Sequence, residues 1–208
     1  MQQTRSKDEL ASALTHTVGV LASLAGGTVL ITMAALGGSA YHIVGTAVFA
    51  ASLVLLYSAS TAYHIALGDP LKRRLQVFDH CAIYVLIAGT YTPLTLTALR
   101  GPWGWTLFGI VWALALAGIA FKLFFTGRFP RVSTAIYIGM GWLVLIAAGP
   151  LVRAVDPVAL AWLVAGGVAY TGGTAFYHSR RLPYAHTVWH LFVLMGSVCH
   201  GIAVGMQL

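Results

Sequence analysis

The chain has 208 residues, 59% of them apolar and only 8% charged, against the ~25% charged residues usual in soluble domains. A water-soluble surface cannot be built from that composition, so a soluble enzyme or a nucleic-acid binder is excluded despite a net charge of +7. Two cysteines are too few for a disulfide framework.

Taken in chain order, residues 10–68, 80–99, 101–121, 132–152, 157–179 and 182–208 contain no Asp, Glu, Lys or Arg. A stretch of about 20 apolar residues spans a bilayer as a helix, and the first of these is long enough for two. The pattern predicts an all-α integral membrane protein, a single domain over 1–208 with seven spans at 13–36, 43–66, 77–99, 103–125, 133–152, 158–177 and 187–206. Turn chemistry separates them: Gly37-Gly38-Ser39, Gly68-Asp69-Pro70, Gly101-Pro102, Gly127 with Pro130, Asp156-Pro157 and Arg180-Arg181-Leu182-Pro183. The first apolar run is too long for the core of a cleavable signal and leads into further spans. Pro93 interrupts the third span and is expected to kink it unless neighbouring helices absorb it. Gly201-x-x-x-Gly205 reads as a close helix approach within the bundle.

The basic residues give the orientation. Arg5, Lys7, Lys72, Arg73, Arg74, Lys122, Arg128, Arg131, Arg180 and Arg181 fall on one side of these spans, against Arg100 and Arg153 on the other. Lys and Arg are retained in the cytoplasm, so the N-terminus is expected inside and the C-terminus outside. That places the chain in a plasma membrane, the inner one if bacterial. The asymmetry accounts for the basic charge without nucleic acid, and anionic lipid of the inner leaflet is the expected partner of Lys72-Arg73-Arg74. Trp103 and Trp105 fall at the outer aromatic belt.

Eight histidines are the anomaly, because ionisable side chains within spans are costly and point to function. His16, His64, His80, His178, His186 and His190 all fall near the cytoplasmic ends of their spans. His42 lies in an outer loop, and His200 is about 21 Å beyond His186 at ~1.5 Å per residue. His186-x-x-x-His190 puts two imidazoles on one helical face, the spacing with which helices present two nitrogens to a metal. Ser60-x-x-x-His64 puts a hydroxyl and a third imidazole on one face of the second span, and Asp79 enters the third span at the same depth. Three neutral imidazoles leave tetrahedral Zn²⁺ a fourth position for water, the arrangement of catalytic zinc. Asp79 can orient that water or accept its proton, and Ser60 can hold Asp79 or steady an oxyanion. The plain readings are that His16 and His80 are interhelical hydrogen bonders, that Asp79 is a helix-start residue, and that Cys81 and Cys199 are packed thiols too far apart to pair. A short echo, Thr61-Ala62-Tyr63-His64 against Thr174-Ala175-Phe176-Tyr177-His178, makes His178 the substitute ligand.

Together with Gly89-Thr90-Tyr91-Thr92-Pro93 and Pro183-Tyr184-Ala185-His186, these motifs resemble the hemolysin III family over nearly the whole chain. That family shares a superfamily with the adiponectin and progestin receptors, and its Ser, Asp and three-His pattern is similar to that of alkaline ceramidases. The resemblance implies a seven-helix bundle with zinc held near the cytoplasmic face by His64, His186 and His190, with Asp79 and Ser60 beside the metal. The family's first-span pattern Glu-x-x-Asn-x-x-x-His is present as Glu9-x-x-Ser12-x-x-x-His16, with Ser in place of Asn. Glu9, Ser12, His16, His80 and His178 are then the expected supports behind the ligands.

Two functions of different kinds follow. One is a zinc-dependent hydrolase of lipid amides or esters, its substrate entering from the bilayer between helices. The other is a non-enzymatic regulator or sensor of membrane lipid state, with a structural zinc tying the second, third and seventh spans. A pore or transporter ranks last, since no acidic residue lies in the outer half of any span. The oligomeric state is not legible in the sequence.

Overall fold

The computed structural model describes residues 7–179 and 181–208. Arg5 and Arg180, counted above among the inner basic residues, lie outside the described residues. Every regular element among those described is helical: α1 (Lys7–Gly37), α2 (Ala40–Ile65), α3 (Asp69–Leu96), α4 (Pro102–Phe125), α5 (Pro130–Gly141), a 3₁₀ turn (Leu143–Ala147), α6 (Ala148–Ala154), α7 (Pro157–Tyr177) and α8 (Ala185–Gly205). α5, the 3₁₀ turn and α6 form one apolar rod, Pro130–Ala154, so the described residues make seven rods. Six of them are long and apolar enough to cross a membrane: Lys7–Gly37, Ala40–Ile65, Pro102–Phe125, Pro130–Ala154, Pro157–Tyr177 and Ala185–Gly205. The chain is a multi-pass integral membrane protein.

The exception is α3, and its surroundings explain its polarity. It carries Asp79, His80 and several threonines, and packs against α2, α4, α5 and α8. A helix sheathed by protein can hold residues that a lipid-facing one cannot. The expected third span, 77–99, is shifted: the helix begins at Asp69 and ends at Leu96. It runs through Pro93, which nests on Gly45 of α2, where a side chain would collide with the proline ring. Neighbours absorb this proline. The expected fifth span, 133–152, is correct in extent but not continuous. At its break the Tyr91 hydroxyl shares its proton between the carbonyls of Met140 and Gly141, 2.9 and 2.8 Å away, and accepts the Val144 amide at 2.9 Å.

The turns follow local chemistry. Gly68 and Gly101 have φ of 93° and 134° at the starts of α3 and α4, in the left-handed half of the map that only glycine enters freely. Asp156 Oδ1 caps α7 by accepting the amides of Val158 (2.8 Å) and Ala159 (3.3 Å), with Pro157 as its first residue. His42 belongs to α2, where its Nδ1 accepts the Ser39 amide at 3.1 Å.

α1 packs on α2, α2 on α3, α3 on α4 and α7 on α8, and α8 closes the bundle by packing on both α7 and α1. Close contacts use small residues: Gly118 of α4 receives the Tyr84 ring, and Gly166 of α7 receives the His200 ring. Gly201 does not make the expected close approach. A side chain there would meet nothing within 4 Å, while Gly205 borders Leu30 of α1. Cys81 and Cys199 are free and buried, the first packed on the Ile119 carbonyl of α4.

Candidate metal centre

Three helix ends deliver the site. α2 ends with Ser60 and His64 one turn apart, α3 brings in Asp79 two turns after its basic start, and α8 begins with His186 and His190 one turn apart. The i, i+4 spacing aligns each pair on one face. The non-glycine residue Tyr184 immediately before α8 has a left-handed φ of 55°, a strained conformation of the kind that persists where surrounding structure fixes it.

One candidate ligand atom from each of His64, His186 and His190 lies within 4.8 Å of the other two, and no carboxylate joins that group. Ring centroids are 5.0 Å apart for His64–His186, 4.9 Å for His64–His190 and 4.6 Å for His186–His190. Two of the rings are held from behind. His64 Nδ1 donates to Glu9 Oε2 at 3.1 Å, and its Nε2 is buried with no hydrogen-bond partner among the described residues. His190 Nδ1 donates to the Ser12 carbonyl at 3.2 Å. In both rings the proton is thereby fixed on Nδ1, and the Nε2 lone pair is free for a metal. A buried ring nitrogen without a partner, as His64 Nε2 is, is a group a metal would satisfy, and with one nitrogen each from His186 and His190 within 4.8 Å the residues present fit a metal ion.

The expected supports are placed differently from one another. Glu9 is in contact with the His64 ring. Ser12 serves through its main chain, so replacing the family's Asn leaves the bond to His190 intact, and its hydroxyl instead meets Thr187 Oγ1 at 3.1 Å. His16 is not a hydrogen bonder: both ring nitrogens are buried without partners among the described residues, and the ring stacks on His190 with centroids 3.5 Å apart. His80 is close by, its carbonyl accepting the Tyr137 hydroxyl at 3.0 Å and its Nδ1 buried without a partner among the described residues. His178 is tied to Thr134 Oγ1 at 3.0 Å and is no part of the three-imidazole group. Asp79 is buried beside that group, with the Ser60 hydroxyl turned to its carboxyl.

Charge counting placed Lys122 in a loop. It is 3% exposed in the last turn of α4, donating to Ser133 Oγ at 2.6 Å and lying 5.8 Å from the centroid of the Tyr137 ring. Its position three residues before the span's end was the available signal.

A cavity of ≈ 410 Å³ opens from the centre toward the middle of the bundle. Ser60, Asp79 and His186 line its polar end, and Ile87, Trp142 and Val193 its apolar part. Gly141, at the break in the fifth rod, lines the cavity and is also exposed at the bundle surface.

A family model described as haemolysin-III related matches residues 4–201. The chain is similar to the hemolysin-3 homolog of Bacillus subtilis, 48% identical over 92% of this chain and 90% of the relative, and to hemolysin-3 of Bacillus cereus, 44% identical over 92% and 87%. It is also similar to the human monocyte to macrophage differentiation factor, 24% identical over 95% of this chain and 83% of the relative.

Proposed function

The chain belongs to the haemolysin-III related family, and from that premise we propose that it is a zinc-binding protein of seven spans that hydrolyses lipid amides or esters near the cytoplasmic leaflet. The observation that carries this reading is the trio His64, His186 and His190, the first and last buried and His186 half-buried, which converges without a carboxylate among the described residues. Held by three imidazoles, zinc supplies Lewis acidity and a water activated near neutral pH.

The chain's own groups do the rest. Asp79 takes the proton from water and passes it to the leaving amine or alkoxide, and the Ser60 hydroxyl keeps its carboxyl in place. Water adds across the C–N or C–O bond, giving a carboxylic acid and an amine or alcohol. The apolar part of the cavity seats an acyl chain, and Gly141, which both lines the cavity and is exposed, marks where a lipid enters from the bilayer beside α5. The orientation, N-terminus inside, rests on the basic residues: Lys72, Arg73, Arg74, Arg128 and Arg131 are on the loops and helix starts at the histidine end, while Arg100 and Arg153 are at the other. A structural zinc tying the second, third and seventh rods has less support, because α3 contributes no member to the trio.

The test is hydrolysis of a fluorescent ceramide by the purified protein in lipid nanodiscs, followed as released fatty acid. Asp79→Asn should abolish release while retaining stoichiometric zinc. If wild-type and His64→Ala membranes show the same fatty acid and lyso-lipid content in a lipidomic comparison, the hydrolase reading is wrong.

A further inference from the structure

His64 is steadied by more than one residue. Glu9 Oε2 accepts from His64 Nδ1 at 3.1 Å and, through the same oxygen, from Lys72 Nζ at 2.6 Å. Glu9 is in the first turn of α1, His64 in the last turn of α2 and Lys72 in the first turn of α3, so three helices meet at one atom. The Lys72 ammonium also lies 5.0 Å from the centroid of the Tyr63 ring, next to His64 in sequence. Side-chain exposure falls from 29% at Lys72 and 28% at Glu9 to 4% at His64, so the contact leads from the membrane surface to the centre. Arg73 and Arg74 are exposed. Lys72 alone of the basic run points inward.

We propose that Lys72 is a positioning residue for the metal centre. Its ammonium fixes the Glu9 carboxylate on the His64 Nδ1–H, and so keeps His64 in the tautomer and ring orientation that offer Nε2 to the metal. The inference rests on the reading that His64, His186 and His190 hold a metal. A partly shielded ammonium at 2.6 Å from the oxygen that accepts the His64 proton narrows the rotamers open to the Glu9 carboxylate.

The sign of the effect separates positioning from simple electrostatics. Removing a positive charge close to a divalent cation should tighten binding if only the field matters. Loss of positioning weakens it, and groups behind metal ligands typically contribute 10–100-fold in affinity. The full-length protein in detergent, stripped of metal, is titrated with Co²⁺, read by its visible absorption, and then with Zn²⁺ against a chromophoric chelator. Lys72→Met should weaken both metals by about 10-fold and alter the Co²⁺ spectrum. Lys72→Arg should restore wild-type behaviour, and Arg73→Met should leave it unchanged. In a Glu9→Gln background Lys72→Met should have no further effect.

Unchanged or tighter binding by Lys72→Met, or an equal loss in Arg73→Met, overturns the proposal. Size-exclusion profiles matching wild type establish that the variants are folded. Failure of wild type to bind either metal defeats the metal-centre reading itself. Failure at Lys72 alone leaves the contrast between wild type and His190→Ala intact.

Discussion

At the level of single residues the centre separates ligands from neighbours that resemble them. His190 and His178 both sit near the ends of their helices at the same end of the bundle, yet His190 faces two other imidazoles while His178 is bound to Thr134. His190→Ala should therefore eliminate zinc from the purified protein, and His178→Ala should leave the stoichiometry at wild-type level, as read by elemental analysis. Retained zinc in His190→Ala would remove that residue from the ligand set. The convergence of the three imidazoles was legible in part because i, i+4 spacing is a local property of helices. The side-chain role of Glu9 was legible through its place in a motif. Lys122, Lys72 and the main-chain role of Ser12 were not, since composition counts charges but cannot say which face of the last or first turn they occupy. His200 was correctly separated from the cluster by helical rise, but its partner, the Leu163 carbonyl at 3.1 Å, depends on tertiary packing that one sequence does not display.

At the level of elements the fifth rod is the irregular one, and Tyr91 supports its break. Its hydroxyl serves two carbonyls and one amide that a continuous helix would have paired internally. Tyr91→Phe leaves these groups unsatisfied, and a buried unpaired polar group costs about 1–3 kcal/mol. A lower Tm in detergent is expected for Tyr91→Phe, with none for Tyr41→Phe, whose ring is exposed. An unchanged Tm at Tyr91 would show that the break is supported by other contacts. Six rods were readable from length and apolarity. The offset of α3 was less so, because its charged first turns belong to the helix although they resemble a loop. The break in the fifth rod left no proline or charge in the sequence at the point where it occurs, only Gly139 and Gly141 flanking Met140.

For the whole molecule the proposed orientation, which rests on the basic residues, fixes the leaflet proposed for the substrate. With Cys81 and Cys199 replaced by Ser, a cysteine at Ser39 should react with a membrane-impermeant maleimide in intact cells, and one at Arg73 only after permeabilisation. The reverse pattern would place the histidine end outside and invert the proposed substrate leaflet.

The contact of α8 with α1 has a consequence in time. α1, α2 and α3 supply Glu9, His64, Lys72 and Asp79, but His186 and His190 lie on α8, made after the other seven helices described, and His190 is held by the carbonyl of Ser12 on α1. A nascent chain halted after Tyr177 carries Glu9, Ser12, Lys72 and Asp79 but a single imidazole of the three. Docking α8 on α1 and gathering the three imidazoles are thus one event.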